Sequence, residues 1–484
     1  MVDPHVQNPD KINEPHRAER MAHWNNVATK MGGWKRSSNC YHRRLARVYQ
    51  QVVAPGLRVL EVGCAYGDLL AALKPADGVG IDFSSEMISR AQQRHPELRF
   101  IQADAHELEL EGTFDVIILS DLVNDLTDVQ AVLERLSLLS TPKTRLILNL
   151  NSQAWRLPLT AARKLNLATR LLPQNWLTVA DVSDLLYLTD FEVIKTWQEI
   201  LCPLPIPLLK TFFNNFLVKI WPFSLATLTN FILARPMPKH DPEAKEALVS
   251  VIVPARNEAG NIENIFARTP EMGSGTELVF VEGHSSDNTY ETIEKAIQAH
   301  PERRCKLLRQ PGKGKGDAVR AAFDQASGDV LMILDADLTV PPEDLPRFYE
   351  ALHSGKADFV NGVRLVYPME KRAMRYFNLL GNKFFSLAFS WLLGQPIKDT
   401  LCGTKVLWKS DYERITANRA HFGDFDPFGD FDLIFGAVKQ NLRIVDLPIR
   451  YRERTYGDTN IQRWKHGVLL LKMVIFAARR IKFL

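Results

Sequence analysis

Short apolar runs alternate with amphipathic stretches in two blocks of the chain, and a polar interruption divides them. Between residues 58 and 150 the runs RVLEVG, GVGID, LRFIQAD, FDVIILSD and RLILNL read as strands, with helix-like segments such as residues 85–94 between them. That βαβ rhythm predicts a doubly wound sheet. Residues 235–246, RPMPKHDPEAKE, break it with charge and proline, which predicts a linker over 236–247. A second alternation starts at Leu248, with LVSVIVPARNE, ELVFVEG, CKLLRQ and DVLMILDAD as strands and residues 259–268, 288–300 and 316–326 as helices. The pattern predicts an α/β chain of two domains: residues 1–235 with an N-terminal helical extension, and residues 248–460. A basic amphipathic helix over 461–484 closes the chain. The two blocks share only their rhythm, so no internal repeat is predicted.

Composition narrows the class. A chain of 484 residues, 46% hydrophobic and 24% charged, is globular and too long for one ordinary core. A net charge of +4 is too mild to argue for nucleic acid. Cys40, Cys64, Cys202, Cys305 and Cys402 are scattered, odd in number and without a C-x-x-C, so neither a disulfide framework nor a zinc site is indicated. A reducing cytoplasm fits. The polar N-terminus lacks the apolar core of a signal peptide, and no run reaches the roughly 18 apolar residues of a spanning helix.

Three stretches read instead as able to lie on a bilayer: residues 201–236, interrupted by Lys210, Asn214, Asn215 and Lys219; residues 384–393; and the run from Gly467, interrupted by Lys472. In the last helix Trp464, Val468, Leu471, Ile475 and Ala478 recur at helical spacing, beside a cationic stripe of Lys465, Lys472 and Arg479 extended by Arg480 and Lys482. Such a helix adsorbs to anionic lipid, or packs on a sheet or a dimer interface. The expected location is cytoplasmic, peripheral on the inner face of the membrane.

In the first block, residues 59–70 (VLEVGCAYGDLL) put Glu61, Gly63 and Gly67 where a strand turns into a helix, so the backbone can approach a ligand closely. Counting from Gly63, a dinucleotide fingerprint would need glycine at Ala65 and Asp68, which disfavours NAD. The next strand ends in Asp82, suited to accept from two ribose hydroxyls, and the third in Asp104, suited to accept from an amino group. This order resembles the class I S-adenosylmethionine-dependent methyltransferases over residues 27–235. The resemblance implies that Glu61, Gly63 and Gly67 form the cofactor turn, that Asp82 binds ribose, and that Asp104 with Ala105 binds adenine. The chain departs from the family at Ala65, where glycine is usual. Asp121 and Asn124, after the fourth strand, are candidate contacts of the methyl acceptor or helix caps. Tyr41 and His42 are candidates for the pocket wall or for the core.

In the second block, Pro254, Asn257 and Glu258 follow the first strand and VEGHSSDNT, residues 281–289, follows the second. Gly312, Lys313, Gly314, Lys315 and Gly316 could bring amides and ammonium groups to a diphosphate, although the P-loop spacing is absent. Residues 330–342 (VLMILDADLTVPP) then place Asp335 and Asp337 at a strand end, hard oxygen ligands suited to Mg²⁺ or Mn²⁺. The order resembles the family 2 glycosyltransferases of the GT-A fold, and more narrowly the polyprenyl-phosphate sugar synthases of the dolichol-phosphate mannose synthase type. The resemblance implies a nucleotide-sugar donor on Pro254, Asn257, Glu258, Glu282, Lys313, Lys315 and Asp335, and a metal on Asp335 and Asp337. It implies acceptor contacts at Asp399 and Lys405, from the element DTLCGTK, and a phosphate-binding segment beginning at Arg454 and including Gly457 and Thr459. Glu282 and Gly283 stand where the family usually has two aspartates, which leaves the base of the donor open. Asp430 and Asp432 are candidate bases for a hydroxyl acceptor, or caps of their helix.

The combined expectation is a bifunctional transferase: methyl transfer from S-adenosylmethionine, and metal-dependent inverting sugar transfer to a lipid-phosphate or glycan acceptor in surface glycan or glycolipid synthesis. Two alternatives stay open. The methyltransferase half could be a non-catalytic cofactor-binding module, or the C-terminal half a nucleotidyltransferase.

Overall fold

The near-continuous apolar runs are the inner strands of two separate sheets in the computed structural model, which describes residues 9–30, 36–165, 172–204, 206, 208–239, 245–364, 366–367, 376–417, 429–454, 456 and 463–483. Gly457 and Thr459, and the side chains of Trp464 and Lys465, lie outside the described residues. The chain divides into two compact units, Met1–Met237 and Pro238–Leu484.

The first unit holds β1 (Arg58–Val62), β2 (Asp77–Asp82), β3 (Arg99–Gln102), β4 (Val116–Leu119), β5 (Arg145–Asn151), β6 (Phe191–Glu199) and β7 (Thr229–Pro236) in the order β3-β2-β1-β4-β5-β7-β6. β1 to β5 are parallel, and β7 runs antiparallel to both β5 and β6. Helices cover both faces, so alternate residues of one strand enter different cores. Leu60 and Val62 pack with Ile117, Leu119, Leu146 and Leu148 on one side, while Val59, Val116, Ile118 and Ile147 pack on the other. Burial on both sides is why these strands read as unbroken apolar runs. The β6–β7 pair was not anticipated from the sequence. Its two strands are separated by residues 200–228, which include the helix Leu209–Asn215 and the 3₁₀ turns Leu217–Lys219 and Phe223–Ala226.

The second unit holds β8 (Leu248–Ala255), β9 (Gly275–Glu282), β10 (Arg304–Arg309), β11 (Val330–Ile333), β12 (Phe359–Val363), β13 (Lys405–Trp408) and β14 (Ile444–Pro448) in the order β10-β9-β8-β11-β13-β12-β14. β13 is antiparallel to both neighbours, and the other pairs are parallel. Val251, Val253, Leu278 and Phe280 face one core, and Ile252, Val279, Val281 and Leu331 the other. In both sheets the chain reverses direction of travel beside the first strand, between β1 and β4 and between β8 and β11. Open α/β sheets bind ligands outside the strand C-termini at such a point.

Among the described residues no helix is long and apolar enough to cross a membrane. The helix Arg463–Ala477 has two apolar faces. Leu470, Met473 and Ala477 are buried in a core that includes Phe389 and Phe435, whereas Val468, Leu471 and Ile475 are exposed. On Tyr376–Leu393, likewise, Phe389, Leu392 and Leu393 are buried while Phe384, Leu387 and Trp391 are exposed.

Candidate functional site

In the first unit the turn after β1 takes left-handed backbone at Gly63 (φ 77°), Ala65 (φ 46°) and Gly67 (φ 73°). A side chain at Gly67 would meet the Phe100 ring at 2.4 Å, and one at Gly63 would touch Leu122 at 3.0 Å. The turn borders a cavity of about 440 Å³ whose wall includes Glu61, Gly63, Ala65, Asp82 and Asp121. Glu61 Oε2 is buried with no hydrogen-bond partner among the described residues. Burial pushes the Glu61 carboxyl up to about 8. Asp82 Oδ2 accepts from Ala65 N (3.0 Å) and Oδ1 from Ser84 N (2.9 Å), so this carboxylate ties β2 to the turn. Burial pushes it up to about 6. An orphaned carboxylate oxygen in an acid-rich cavity fits a cationic ligand, which would supply the missing counter-charge.

Asp121 stands at the end of β4 with φ 56°, and its Oδ1 accepts from Tyr41 Oη (2.8 Å) and Asn149 Nδ2 (2.5 Å). His42 lines the cavity, and burial lowers its pKa, which keeps the imidazole neutral near pH 7. The helix Pro9–Lys30 supplies a contact that sequence reading missed: Trp24, also in the cavity wall, donates from Nε1 to Asp125 Oδ2 (2.8 Å), and Arg20 pairs with the same carboxylate.

Three expectations here need correction. Asp104 and Ala105 are not among the residues lining the cavity; Asp104 Oδ1 accepts from the His106 backbone and from its Nδ1 (2.7 Å), capping a short 3₁₀ turn. Asn124 is buried and its amide is spent internally, donating to Asn175 O (2.7 Å) and accepting from Asn151 N (2.9 Å). It braces β5 instead of meeting an acceptor.

In the second unit Asp335 and Asp337 follow β11, and each is engaged by a cation. Lys315 Nζ lies 2.5 Å from Asp335 Oδ1, and Arg454 Nη2 lies 2.6 Å from Asp337 Oδ2. Burial alone would raise the Asp335 carboxyl, but Lys315, with Arg364 and Lys405 beyond it, outweighs that and holds it below the usual carboxylate range. Asp335 and Asp430 in turn raise the Lys315 ammonium despite its burial. Gly403 makes this packing possible: a Cβ there would lie 2.0 Å from Asp335 Oδ2 and 2.4 Å from Lys315 Nζ. Asp337 Oδ1 accepts from Thr339 N and Oγ1 (3.1 and 2.8 Å), which fixes the other half of its carboxylate.

Arg454 also reaches Glu258, whose Oε1 is 3.4 Å from Nη1. Burial raises the Glu258 carboxyl, and Arg454 offsets part of the rise. Pro254 is the penultimate residue of β8, and Asn257 (φ 57°) accepts from Ser286 N (2.8 Å) through Oδ1. Glu282 accepts from Ser285 N (2.5 Å), so the glutamate that replaces an aspartate holds the loop after β9. Asp317 shapes the glycine loop by accepting from Gly312 N (2.8 Å), leaving Lys313 exposed.

Asp430 and Asp432 open the helix Asp430–Lys439, and its N-cap is Gly429, where a side chain would strike Gly316 Cα at 2.5 Å. That contact puts the helix start against the Lys315 loop. Asp430 Oδ1 is buried without a hydrogen bond, 3.7 Å from Lys405 Nζ. Asp399 and Lys405, expected at the acceptor, stand behind the wall. Asp399 is 1% exposed with both oxygens on the Arg364 guanidinium (2.7 and 2.8 Å). Lys405 is 0% exposed and donates to Asn361 Oδ1 (3.1 Å) and Cys402 O (2.5 Å). Among the described residues no group of three or more His, Cys, Asp or Glu side chains comes together for a metal. A divalent ion on Asp335 and Asp337 would therefore complete its shell with oxygens from a bound phosphate and water.

Comparison with known proteins separates the units in the same way. Residues 54–192 match the family model described as a methyltransferase domain, and residues 250–415 match glycosyl transferase family 2. A dolichol-phosphate mannosyltransferase of Pyrococcus furiosus is 30% identical over 220 residues, 44% of this chain and 59% of that protein. An undecaprenyl-phosphate 4-deoxy-4-formamido-L-arabinose transferase of Edwardsiella ictaluri is 26% identical over 227 residues, 46% of this chain and 64% of that protein. The chain thus spans less than two thirds of the length of either relative. Magnesium protoporphyrin IX methyltransferase of Synechocystis, solved with S-adenosylhomocysteine, aligns over 47% of this chain and 99% of its own at 19% identity, with a TM-score of 0.32.

Proposed function

Because the chain joins a methyltransferase domain to a family 2 glycosyltransferase domain, we propose that it is a bifunctional transferase whose C-terminal domain moves a sugar, with inversion, from a nucleotide donor to a polyprenyl phosphate. The observation that carries this reading is the cluster at the C-terminal edge of β11: two carboxylates, each held by a cation that a diphosphate could claim instead. Asp335 and Asp337 would hold Mg²⁺ or Mn²⁺, which as a Lewis acid neutralises charge on the departing diphosphate. Arg454 and Lys313 supply fixed positive charge where that group leaves. A phosphate acceptor is already ionised and needs no base. For a hydroxyl acceptor, Asp430 and Asp432 at the start of their helix are the candidate bases.

The N-terminal domain would methylate a second acceptor. Methyl transfer from a sulfonium is an in-line displacement that depends on positioning. The turn at Gly63 to Gly67, the Asp82 carboxylate and the orphaned Glu61 oxygen suit the ribose and the cationic part of S-adenosylmethionine, while Asp121 and His42 line the same cavity. The relatives' names point to lipid-phosphate acceptors, and the exposed Val468, Leu471, Ile475, Phe384 and Trp391 suit peripheral contact with the cytoplasmic face of a membrane. Fusion of the two activities fits one pathway of surface glycan or glycolipid synthesis.

A screen of nucleotide sugars for cleavage with and without Mn²⁺ tests the C-terminal reading. Release of nucleoside diphosphate supports it, whereas release of pyrophosphate would make the domain a nucleotidyltransferase. Calorimetry with S-adenosylmethionine tests the N-terminal one.

A further inference from the structure

Beside the methyl-donor cavity lies a second, smaller one of about 130 Å³ that neither proposed reaction uses. That is room for about four waters at ~30 Å³ each, enough for a phosphate group. On one side Arg43, Arg44 and Arg47 line it from the helix Arg36–Val52, at a spacing that puts them on one helical face. On the other side stand Lys210, Thr211, Asn214 and Asn215 from the helix Leu209–Asn215.

The pocket is built. The Arg44 guanidinium donates to Asn215 Oδ1 (2.9 Å), Asn214 O (2.8 Å) and Glu199 Oε2 (2.9 Å), which fixes it between the two helices. Asn214 locks the wall by clamping the backbone N and O of Cys202 at 2.8 Å each. Glu199 is shared between Arg44 and Lys219, so the wall keeps an excess of positive charge. A pocket lined by three guanidinium groups and an ammonium, with no acidic residue among the described residues of its lining, suits an anion.

The surface around the pocket says which anion. Leu209, Phe212 and Phe216 recur along the outer face of the Lys210 helix, and Phe212 is 53% exposed. Its ring lies 6.2 Å from that of Phe216. Trp221 at 75% and Leu208 at 87% exposure add exposed apolar area in the same segment of the chain. A soluble phosphate needs a pocket but no apolar apron, whereas exposed apolar side chains on the helix that carries Lys210 match an amphiphile.

We propose that this is a lipid-phosphate site. The phosphate of an anionic membrane lipid enters between the two helices, and Leu209, Phe212, Phe216 and Trp221 enter the apolar layer below it. Because Arg43 lines both cavities, the headgroup is held next to the methyl-donor site. The inference deepens the membrane reading above but rests on a different unit from the C-terminal helix.

Flotation of the full chain tests it, with vesicles of phosphatidylcholine alone or mixed with phosphatidylglycerol. Arg47→Gln with Lys210→Gln is expected to weaken binding to the anionic vesicles about 30-fold, near fivefold for each cation lost. Phe212→Ser with Trp221→Ser is expected to weaken binding to both vesicles. Unchanged binding of S-adenosylmethionine shows that the variants are folded. Wild-type flotation in both of these double variants would overturn the site. If at the same time Leu471→Ser with Ile475→Ser abolishes flotation, the membrane reading stands and only this site falls. Protection by inorganic phosphate that depends on Arg47 and Lys210, without vesicle binding, would make the ligand a soluble anion and also overturn the proposal.

Discussion

Glu61 and Asp82 in the methyltransferase domain and Asp335 and Asp337 in the glycosyltransferase domain stand at equivalent edges of similar sheets, yet they are treated in opposite ways. The first pair is buried without a neutralising cation among the described residues, and burial pushes the carboxyls up to about 8 and about 6. The second pair is ion-paired, to Lys315 and to Arg454. A site awaiting a cationic ligand leaves its acids uncompensated, because the ligand is the counter-ion. A site awaiting a polyanion with a metal holds cations on its acids, and these can change partners when the phosphates arrive. The charge of the ligand is thus written in what the acids lack.

The largest expected effect breaks one side of this comparison. Asp337→Ala removes a proposed metal ligand and the partner of Arg454, and sugar transfer is expected to fall by at least about 100-fold. Nucleoside diphosphate release reads this, while calorimetry should find methyl-donor binding unchanged. Turnover within tenfold of the wild type would make the Asp337–Arg454 pair a structural brace. Gly403→Ala attacks the same site through space. The nearest atoms the new methyl meets belong to the Asp335 carboxylate and the Lys315 ammonium, which can shift, so stability should change little, while activity falls about 10- to 100-fold from their displacement. A large loss of melting temperature with normal turnover of the folded fraction would contradict that.

The strands that carry these acids were legible because burial on both faces makes them continuous apolar runs. The strands that interrupt the βαβ rhythm were not. β6, FEVIKTWQE, lies at the sheet edge and alternates with polar residues, and its partner β7 follows only after residues 200–228. β13 is four residues long, and β12 contains Asn361 and Gly362. Within the sites, position at a strand end was readable and burial was not. Asp121 reaches its cavity, but Asn124, Asp399 and Lys405 are consumed by partners that no spacing rule reveals, among them Arg364, 35 residues before Asp399. The Trp24–Asp125 contact joins positions 101 residues apart and leaves no local signature.

A pH titration sharpens the other side. Glu61 holds a proton near neutrality in the folded, ligand-free domain, and a cationic ligand favours the ionised form. Affinity for S-adenosylmethionine is therefore expected to rise with pH, by up to about tenfold per unit, and to level off above about pH 8. Asp82 should steepen the dependence below about pH 6. The stability of the ligand-free domain runs the other way. Between the ordinary value of 4.5 and about 8 the folded state keeps a proton that the unfolded chain has lost, so stability falls as pH rises. Glu61→Gln should flatten both curves, and a wild-type affinity independent of pH would remove Glu61 from the account.

The smallest effect concerns strain, which the two sites share. Ala65 in the first and Leu338 in the second each take positive φ, 46° and 53°, beside the acids. Left-handed backbone costs an L-residue about 1–2 kcal/mol, and glycine returns some of that through its greater freedom when unfolded. Ala65 contributes only a methyl to the cavity wall, and its amide, which donates to Asp82, is unaffected by substitution. Ala65→Gly is therefore expected to stabilise the domain by about 1 kcal/mol or less and to change cofactor affinity by less than about fivefold. Leu338 is buried in the core of its sheet, so Leu338→Gly relieves the same strain but leaves a cavity costing about 2–5 kcal/mol. Opposite signs in thermal melts of the two variants would show that one turn stores removable strain and the other sets its strain against packing. A loss of stability in both would place the Ala65 methyl among the contacts that hold the turn.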